Sequence, residues 1–398
     1  MTDSLVLTSL NSADRTPELP RVMPALPEGL KFGVGGCVGL RAFAGLGSMG
    51  QRWLMLDLGA AAAQWMDMPP FPGVPREQAC AVTVGADIWV LGGLAAASDG
   101  VPGHVLDDVY RFDAATLSWS QMDSRVPGGL LGASGALLPD GRLYFFGGVN
   151  KYVMDGFLRE AARTADSDAR QRLLRAYLEQ APKNYHFAAD VRCYDPALNR
   201  WSALPAPDFL PVVGAALACE EGLVTLIGGE IKPGLRTDRV QQVRFNQSAA
   251  LDWLAPSSLP VTGDQAVQEG LAGAFCGFSH GVLLCAGGTH FPGARARFAA
   301  GHHFAHEGLK KSWRREIYAR TDEGWRQVGR LPAGRAHGIS LELGGRLWLL
   351  GGEGEDGQAL ADLLLLDEDL PPLVSGGLAP AQACTEKLQC RTDQTYAD

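Results

Sequence analysis

The sequence predicts an all-β fold built from repeated units, and three observations lead to this prediction. Glycine accounts for 50 of the 398 residues, against roughly 7% in ordinary proteins. These glycines follow no three-residue period, which excludes collagen, and many stand in pairs that end short apolar runs. Tryptophans recur between the pairs. Short apolar runs joined by tight turns are typical of β structure.

The glycine pairs set the number of repeated units. An apolar run ends in a glycine doublet at Gly92-Gly93, Gly147-Gly148, Gly228-Gly229, Gly287-Gly288 and Gly351-Gly352, after a degenerate first copy that ends at Gly47. The final glycines of successive copies are 46, 55, 81, 59 and 64 residues apart. This is the roughly 50-residue period of kelch repeats, lengthened by insertions. Six copies predict a six-bladed kelch β-propeller.

The other strands of each blade can be recognised around the doublets. Aromatic strands that end in aspartate follow the doublets, most clearly Val109–Asp113 and Val191–Asp195. A tryptophan comes next in five units, at Trp65, Trp119, Trp201, Trp253 and Trp325, and we expect it to pack between blades. Six strands of small residues precede the doublets, and we expect them at the crowded axis: 33–37, 78–82, 132–136, 214–218, 270–274 and 336–340.

The sixth unit lacks a tryptophan strand after Leu363–Asp367. We expect the N-terminal segment 21–27 to supply this missing outer strand and so to close the ring. Residues 21–370 then form a single propeller domain, with terminal extensions at 1–20 and 371–398.

One insertion interrupts the repeat. Residues 151–189 are charged and rich in alanine, without the alternation of a strand. The segments 156–163 and 169–179 predict two amphipathic helices. Leu173, Leu174, Tyr177 and Leu178 would form the apolar face of the second helix. We expect this insertion to act as a helical lid.

Charge and cysteine content exclude several classes of protein. The net charge is −9 and no long run of either sign occurs, which argues against a nucleic-acid partner. No apolar run approaches the roughly 18 residues that would cross a membrane. The eight cysteines form no Cys-x-x-Cys pair, and we expect reduced cysteines in the core. The sequence carries no signal for an oligomeric state.

Polar residues gather at one rim of the predicted ring. The end of a doublet strand and the start of its antiparallel inner neighbour lie at the same rim. These positions, with the loops after the doublets, supply the candidate residues Arg76, Glu77, Gln78, Asn150, Glu230, Lys232, Arg236, His306, Glu307, Lys310, Arg335 and His337. An arginine there could hold a carboxylate, and a partly buried glutamate could exchange protons. A salt bridge between blades is the alternative for each of these residues taken singly.

The histidine-rich run does not predict a metal site. His302, His303 and His306 are followed by Glu307, but Gly301 and Gly308 flank the run and disfavour a helix. The chain has no Gly-x-Ser-x-Gly motif, no phosphate loop and no dinucleotide fingerprint. We therefore predict neither a metal nor an organic cofactor.

Two motifs resemble those of the N-acetylneuraminate epimerase family, the sialic acid mutarotases. They are Glu230-Ile-Lys-Pro-Gly-Leu-Arg-Thr-Asp238 and Ala305-His-Glu-Gly-Leu-Lys-Lys-Ser312. Residues 71–78, 147–150 and 334–338 are similar to further family motifs, and the resemblance extends from about residue 25 to 367. The chain departs from the family pattern at Glu77, where the family has Asp, and at His337, where it has Tyr.

The resemblance implies a six-bladed, cyclically permuted propeller that interconverts the α and β anomers of N-acetylneuraminate, a small anionic sugar. It implies Glu230 as the proton acceptor and Arg236 as the residue that acts beside it. The alternatives are a kelch module that binds a protein or glycan without catalysis and a copper radical oxidase. The oxidase would need a tyrosine–histidine metal set, which Tyr152 and Tyr185 do not provide convincingly.

The resemblance and the N-terminus suggest different compartments. Members of the family are typically periplasmic. The N-terminus here has no basic start followed by an apolar stretch, so the sequence as it stands predicts a cytoplasmic protein, with the periplasm as the alternative.

Overall fold

Six antiparallel sheets surround one axis in the computed structural model, as the repeat predicts. The structure describes residues 23–98, 100–246, 250–263 and 266–366. The predicted extensions 1–20 and 371–398 lie outside this range. We number the blades 1 to 6 in chain order and list their strands from the axis outwards.

The first three blades have four strands each. Blade 1 consists of Val34–Val38, Arg41–Gly45, Trp53–Asp57 and Trp65–Asp67. Blade 2 consists of Cys80–Val84, Asp87–Leu91, Asp108–Asp113 and Ser118–Arg125. Blade 3 consists of Ser134–Leu137, Leu143–Phe146, Val191–Asp195 and Arg200–Leu204.

Blades 4 and 5 repeat this order, whereas blade 6 does not. Blade 4 consists of Ala216–Glu220, Leu223–Ile227, Arg239–Phe245 and Leu251–Trp253, with Ser257–Ser258 also paired to its third strand. Blade 5 consists of Phe275–Ser279, Val282–Ala286, Glu316–Thr321 and Gly324–Arg330. Among the described residues, blade 6 consists of Ile339–Leu343, Arg346–Gly354 and Ala359–Leu365, with the short strand Arg335–Ala336 at its end.

The doublets exist because neighbouring blades touch there. The N–H of the second doublet residue donates to a carbonyl of the next blade, for example from Gly148 to Val212 at 2.9 Å and from Gly229 to Leu271 at 2.6 Å. The first residue has a positive φ, 67° at Gly228, and a Cβ there would lie 2.3 Å from the Leu271 oxygen. Only glycine fits such an approach without strain. In blade 1 Leu46 takes the first position at φ 62°.

A second set of backbone hydrogen bonds forms a closed ring around the axis. The ring residues are Phe32, Gln78, Gly132, Gly214, Gly273 and His337, each two residues before an inner strand. Each donates its N–H to the carbonyl of a neighbouring ring residue, at 2.8–3.3 Å, and the sixth bond closes the circle. All six have a positive φ of 54–68°, including the three that are not glycine, Phe32 (55°), Gln78 (54°) and His337 (57°). We call this circle the axial ring.

The N-terminal segment closes the propeller. The N–H groups of Leu26 and Leu30 donate to Ala361 and Leu360 of blade 6, both at 2.8 Å, and the Leu30 carbonyl accepts from Gly352 at 2.7 Å. Met23, Leu26 and Leu30 are buried with the apolar residues of blades 6 and 1. The segment therefore occupies the position of the missing strand, although its pairing is too irregular to form a regular strand.

Side chains between the blades form the core. The five repeated tryptophans each pack into the apolar cluster shared by their own blade and the preceding one, as predicted. The six described cysteines are all free thiols, and Cys80, Cys193, Cys276 and Cys285 are buried. The inner strands of blades 2, 3 and 4 begin two residues later than predicted, that of blade 1 one residue later and that of blade 6 three residues later. In blade 5 the prediction 270–274 is wrong, because those residues lead into the strand that begins at Phe275.

The insertion is helical, as predicted. Helix α1 spans Lys151–Arg163, helix α2 spans Ser167–Leu178, and a 3-10 turn follows at Pro182–Tyr185. The predicted apolar face of α2 is incomplete, because Leu174 is exposed. Helix α3, Ala294–Ala299, lies in the loop after the blade 5 doublet, and a 3-10 turn spans Gly47–Met49.

Candidate active site

The start of each inner strand and the end of its doublet strand meet at one rim, as the sequence predicted. The residue that precedes an axial-ring residue in the chain pairs through its backbone with the residue after the doublet, as in Val213 with Glu230 and Ala272 with Thr289. Short ribbons continue outwards from these pairs: Leu94–Ala95 with His104–Val105, Glu230–Lys232 with Leu235–Arg236, and Thr289–His290 with Ser312–Trp313. We call the space above the axial ring, inside these ribbons, the mouth.

Glu230 and Arg236 face one another across a ribbon of blade 4. Nη2 of Arg236 lies 2.7 Å from Oε1 of Glu230. The Glu230 side chain keeps 22% of its surface exposed, whereas that of Arg236 keeps 6%. The carboxylate is therefore accessible from the mouth, and the guanidinium is held behind it.

Arg236 has donors without a partner. Its Nε and Nη1 are buried and make no hydrogen bond within the described chain. The guanidinium lies 4.7 Å from the centre of the Phe291 ring, a cation–π contact that supports the plane of the group. Because buried donors normally find partners, the two free nitrogens fit an anion such as a carboxylate.

Three histidines surround the charged pair. Burial, together with the charge of Arg236, lowers the pKa of His306 to about 4. Burial also lowers the pKa values of His290 and His337 to about 4, with the nearby charges of Arg314 and Lys311 acting in the same direction. All three rings are therefore neutral at pH 7, when an imidazole both donates and accepts one hydrogen bond. Nδ1 of His290 and Nδ1 of His306 are buried without a partner among the described residues.

The glycine of the Lys-Pro-Gly sequence makes room for His306. Gly234 has φ 80°, and a Cβ there would lie 1.7 Å from Nδ1 of His306. The imidazole also packs against Phe291, with ring centres 4.8 Å apart. The two motifs that resemble one family therefore touch in the structure, although some 70 residues separate them.

Lys232 is fully buried and ties the lid to the ring. Its ammonium group donates to the carbonyls of Leu178 at 2.9 Å, Gln180 at 2.5 Å and His303 at 2.7 Å. Burial lowers the pKa of Lys232 to about 8, against the opposing charge of Glu179. All three ammonium protons are used by the protein, so Lys232 holds the end of α2 rather than a ligand.

We expect Lys232→Met to loosen the lid. Three partly buried carbonyls would lose their donor, at a cost of about 1–3 kcal/mol in the free energy of unfolding. Limited proteolysis should cut the lid segment 164–181 faster than in the wild type. The control is Lys183→Met, which removes an exposed lysine of the same insertion. Equal cleavage rates in the two variants would contradict the anchoring role.

Two further predicted residues hold the lid and a third is exposed. Glu307 accepts from Arg175 of α2 at 2.5 Å. Oδ1 of Asn150 caps α1 by accepting from the N–H groups of Tyr152 at 3.0 Å and Val153 at 3.2 Å. Lys310 is exposed. The structure therefore ties Glu307 and Asn150 to the lid rather than leaving them free for a ligand.

Arg76 and Arg335 lie between blades rather than in the mouth. They stand two residues before the axial ring, where other blades place the buried residues Leu130, Val212 and Leu271. Arg76 forms a bidentate pair with Asp108, at 2.5 and 2.9 Å, and donates to the Gly92 carbonyl at 3.0 Å. This is the salt-bridge alternative for Arg76. Arg335 pairs with Asp362 at 2.7 Å, and its Nε and Nη1 are buried without a partner among the described residues.

We expect Asp108→Ala to destabilise the fold strongly. It leaves the buried guanidinium of Arg76 without its counter-charge, which costs about 3–5 kcal/mol of unfolding free energy. Asp67→Ala is the matched control, because Asp67 pairs with Arg52 at 2.6 Å but the two side chains are 64% and 33% exposed. Urea unfolding of both variants measures the difference. Similar losses would contradict the structural role of the Arg76–Asp108 pair.

Glu77, Gln78 and His337 belong to the rim or to the axial ring itself. Glu77 pairs with Leu94 through its backbone. His337 stacks on Phe32, with ring centres 4.7 Å apart. The side chains of Gln78 and His337 stand over the ring and so form part of the floor of the mouth.

A second charged cluster, outside the candidate residues named from the sequence, lies beside His337. Glu353 is buried and forms ion pairs with Lys311 and, at 3.7 Å, with Lys31. Nε1 of Trp313 also donates to Glu353, at 3.0 Å. His290 and Phe291 also lie near the mouth and are not among those candidates. The glycine doublets mark two of these residues in the sequence: Glu353 directly follows its doublet, and His290 comes one residue later. The positions of Lys31 and Phe291 depend on how the loops fold, and no sequence pattern marks them.

The described ranges contain neither a cluster of metal ligands nor a helix that could span a membrane. No group of three or more His, Cys, Asp or Glu side chains there could hold a metal ion. In the same ranges no helix is long and apolar enough to cross a membrane.

The fold and the mouth define a propeller enzyme with a carboxylate–arginine pair at its axial opening. Comparison with known proteins then gives the family. The chain belongs to the N-acetylneuraminate epimerase family, whose model matches residues 23–373.

Individual relatives cover nearly the same part of the chain. The N-acetylneuraminate epimerase of Yersinia enterocolitica (serotype O:8 / biotype 1B) is 41% identical over 339 residues, which are 84% of this chain and 86% of that protein. The N-acetylneuraminate epimerase of Vibrio vulnificus (strain YJ016) is 39% identical over 348 residues, 86% of this chain and 90% of its own. The solved structure of YjhT superposes with a TM-score of 0.81 at 32% identity, covering 87% of this chain and 98% of that one.

Proposed function

We propose that this protein is an N-acetylneuraminate epimerase that interconverts the α and β anomers of the sugar at the mouth. The observation that carries the proposal is the Glu230–Arg236 pair: an accessible carboxylate held 2.7 Å from an arginine whose other donors have no partner among the described residues. Membership of the family over residues 23–373 supplies the substrate.

The chemistry of the sugar restricts the mechanism. Its anomeric carbon carries a carboxylate, a hydroxyl and the ring oxygen but no hydrogen, so inversion cannot proceed by removing a proton from carbon. The ring must open instead. One group takes the proton of the anomeric hydroxyl while another protonates the ring oxygen. The bond between the anomeric carbon and the ring oxygen then breaks. Rotation of the open keto form and the reverse proton transfers then close the ring with the other configuration.

The residues of the mouth can perform these steps. Glu230 accepts the proton of the anomeric hydroxyl and returns it on reclosure. The guanidinium charge of Arg236 attracts the sugar carboxylate, and its unpartnered Nη1 donates a hydrogen bond to it. The neutral imidazole of His306, with an unpartnered Nδ1, is a polar group on the Arg236 side that can exchange a hydrogen bond with the sugar. Neither a metal nor an organic cofactor is needed for this chemistry.

The lid completes this arrangement from above. Lys232 fixes the end of α2, and burial and the charge of Glu230 raise the pKa of Tyr177 on that helix to about 12. The phenol of Tyr177 therefore stays protonated at neutral pH. A lid that excludes water strengthens the electrostatic interactions inside the mouth.

Saturation-transfer NMR on an equilibrium mixture of the anomers tests the proposal. Irradiating one anomer should reduce the signal of the other at a rate proportional to protein concentration. A protein that binds the sugar, seen by calorimetry, without increasing this exchange would instead be a non-catalytic glycan-binding propeller.

A further inference from the structure

The floor of the mouth is covered by side chains at most positions of the axial ring. A Cβ added to Gly273 would lie 2.1 Å from Nδ1 of His337, so the imidazole covers that glycine. A Cβ on Gly132 would lie 2.5 Å from Val213. Phe32 and Gln78 carry their own side chains. At Gly214, in contrast, an added Cβ would meet nothing closer than the Gly273 nitrogen at 3.8 Å.

The uncovered position lies beside the catalytic pair. Gly214 follows Val213, whose backbone pairs with Glu230, and Glu230 pairs with Arg236. On its other side the N–H of Gly273 donates to the Gly214 carbonyl at 2.9 Å. Beyond Gly273, Ala272 pairs with Thr289, next to His290. Arg236 and His290 are 7% and 2% exposed, and each has a buried nitrogen without a partner in the described chain.

Neither the backbone nor the packing demands a glycine at this position. Gly214 has φ 68°, and Phe32, Gln78 and His337 adopt similar values of 54–57° at equivalent positions of the same ring. The ring therefore accommodates side chains in this conformation, and among the described residues only the Gly273 nitrogen lies within 4 Å of a Cβ at position 214.

We propose that Gly214 is part of the substrate-binding surface and that one face of the substrate's pyranose ring lies directly on its bare backbone. This rests on the proposed function, and it places the sugar between Glu230 and His290 with its carboxylate towards Arg236. The C–H groups of a pyranose face are apolar and can pack closely on a peptide that has no Cβ. A side chain at 214 would occupy the same volume.

The test is Gly214→Asn, because asparagine tolerates the left-handed conformation, together with the milder Gly214→Ala. The matched control is Gly85→Asn, at φ 58° with no atom within 4 Å of an added Cβ, in the turn after the inner strand of blade 2. That turn lies at the end of the propeller opposite the mouth. Thermal unfolding checks that all three variants fold.

We expect Gly214→Asn to raise KM for anomer exchange at least tenfold and to weaken calorimetric binding of N-acetylneuraminate in parallel, with a smaller effect for Gly214→Ala. Gly85→Asn should match the wild type. A folded Gly214→Asn with wild-type KM and Kd overturns the inference. A wild type that binds without exchanging the anomers refutes the proposed function alone, because Kd still reports on Gly214. A wild type that neither binds nor exchanges the sugar overturns both.

Discussion

Glu230→Gln should lower the rate of anomer exchange by about 10²–10⁴-fold, the usual contribution of a general acid–base group, while the protein stays folded. The amide keeps the shape of the side chain and can still contact Arg236, but it cannot accept the proton of the anomeric hydroxyl. Binding of the sugar should change much less than turnover. Saturation-transfer NMR gives the exchange rate, and calorimetry gives the affinity.

The control for this variant is Glu220→Gln. Glu220 is an exposed glutamate at the far end of the inner strand of blade 4, the same blade that carries Glu230. The Glu220→Gln variant should exchange the anomers at the wild-type rate. Wild-type exchange in Glu230→Gln would remove Glu230 from the mechanism.

Arg236→Ala should weaken binding of the anionic sugar by about 10–150-fold, which corresponds to about 1.5–3 kcal/mol for hydrogen bonds to a charged group. The methyl ester of the same sugar has no carboxylate charge, so its affinity should fall far less. Arg236→Lys keeps the charge but loses the fork of donors, and we expect an intermediate loss.

Arg244→Ala is the control, because this arginine is exposed on the third strand of the same blade. Its affinities for acid and ester should equal those of the wild type. An equal loss for acid and ester in Arg236→Ala would show that Arg236 supports the mouth without holding the carboxylate.

The architecture could be predicted from sequence because the backbone of each blade requires glycine at the same position of the repeat. A Cβ at Gly228 would lie 2.3 Å from a carbonyl of the next blade, so glycine is required there and the doublets mark every turn of the propeller but the first. The axial ring carries a weaker signal. Three of its members are not glycine, and the pattern emerges only from the hydrogen bonds that join positions 32, 78, 132, 214, 273 and 337.

For the site, the sequence could predict which residues lie at the rim but not which side chains enter the mouth. Strand ends showed that Glu230 and Arg236 lie at one end of the ring, but not the direction of each side chain. Arg76 and Gln78 are two residues apart, yet the first is buried between blades and the second stands on the floor of the mouth. Lys232 lies two residues from Glu230, but its ammonium group is used by the lid. These directions depend on loops that are distant in sequence.

The most direct test of the account is the fate of the α anomer of N-acetylneuraminate immediately after a sialidase releases it. NMR spectra recorded over time follow its conversion to the equilibrium mixture, with the protein and without it. The account predicts that conversion accelerates in proportion to the concentration of this protein and that Glu230→Gln removes most of the acceleration. A conversion rate that does not change when the wild-type protein is added would contradict it.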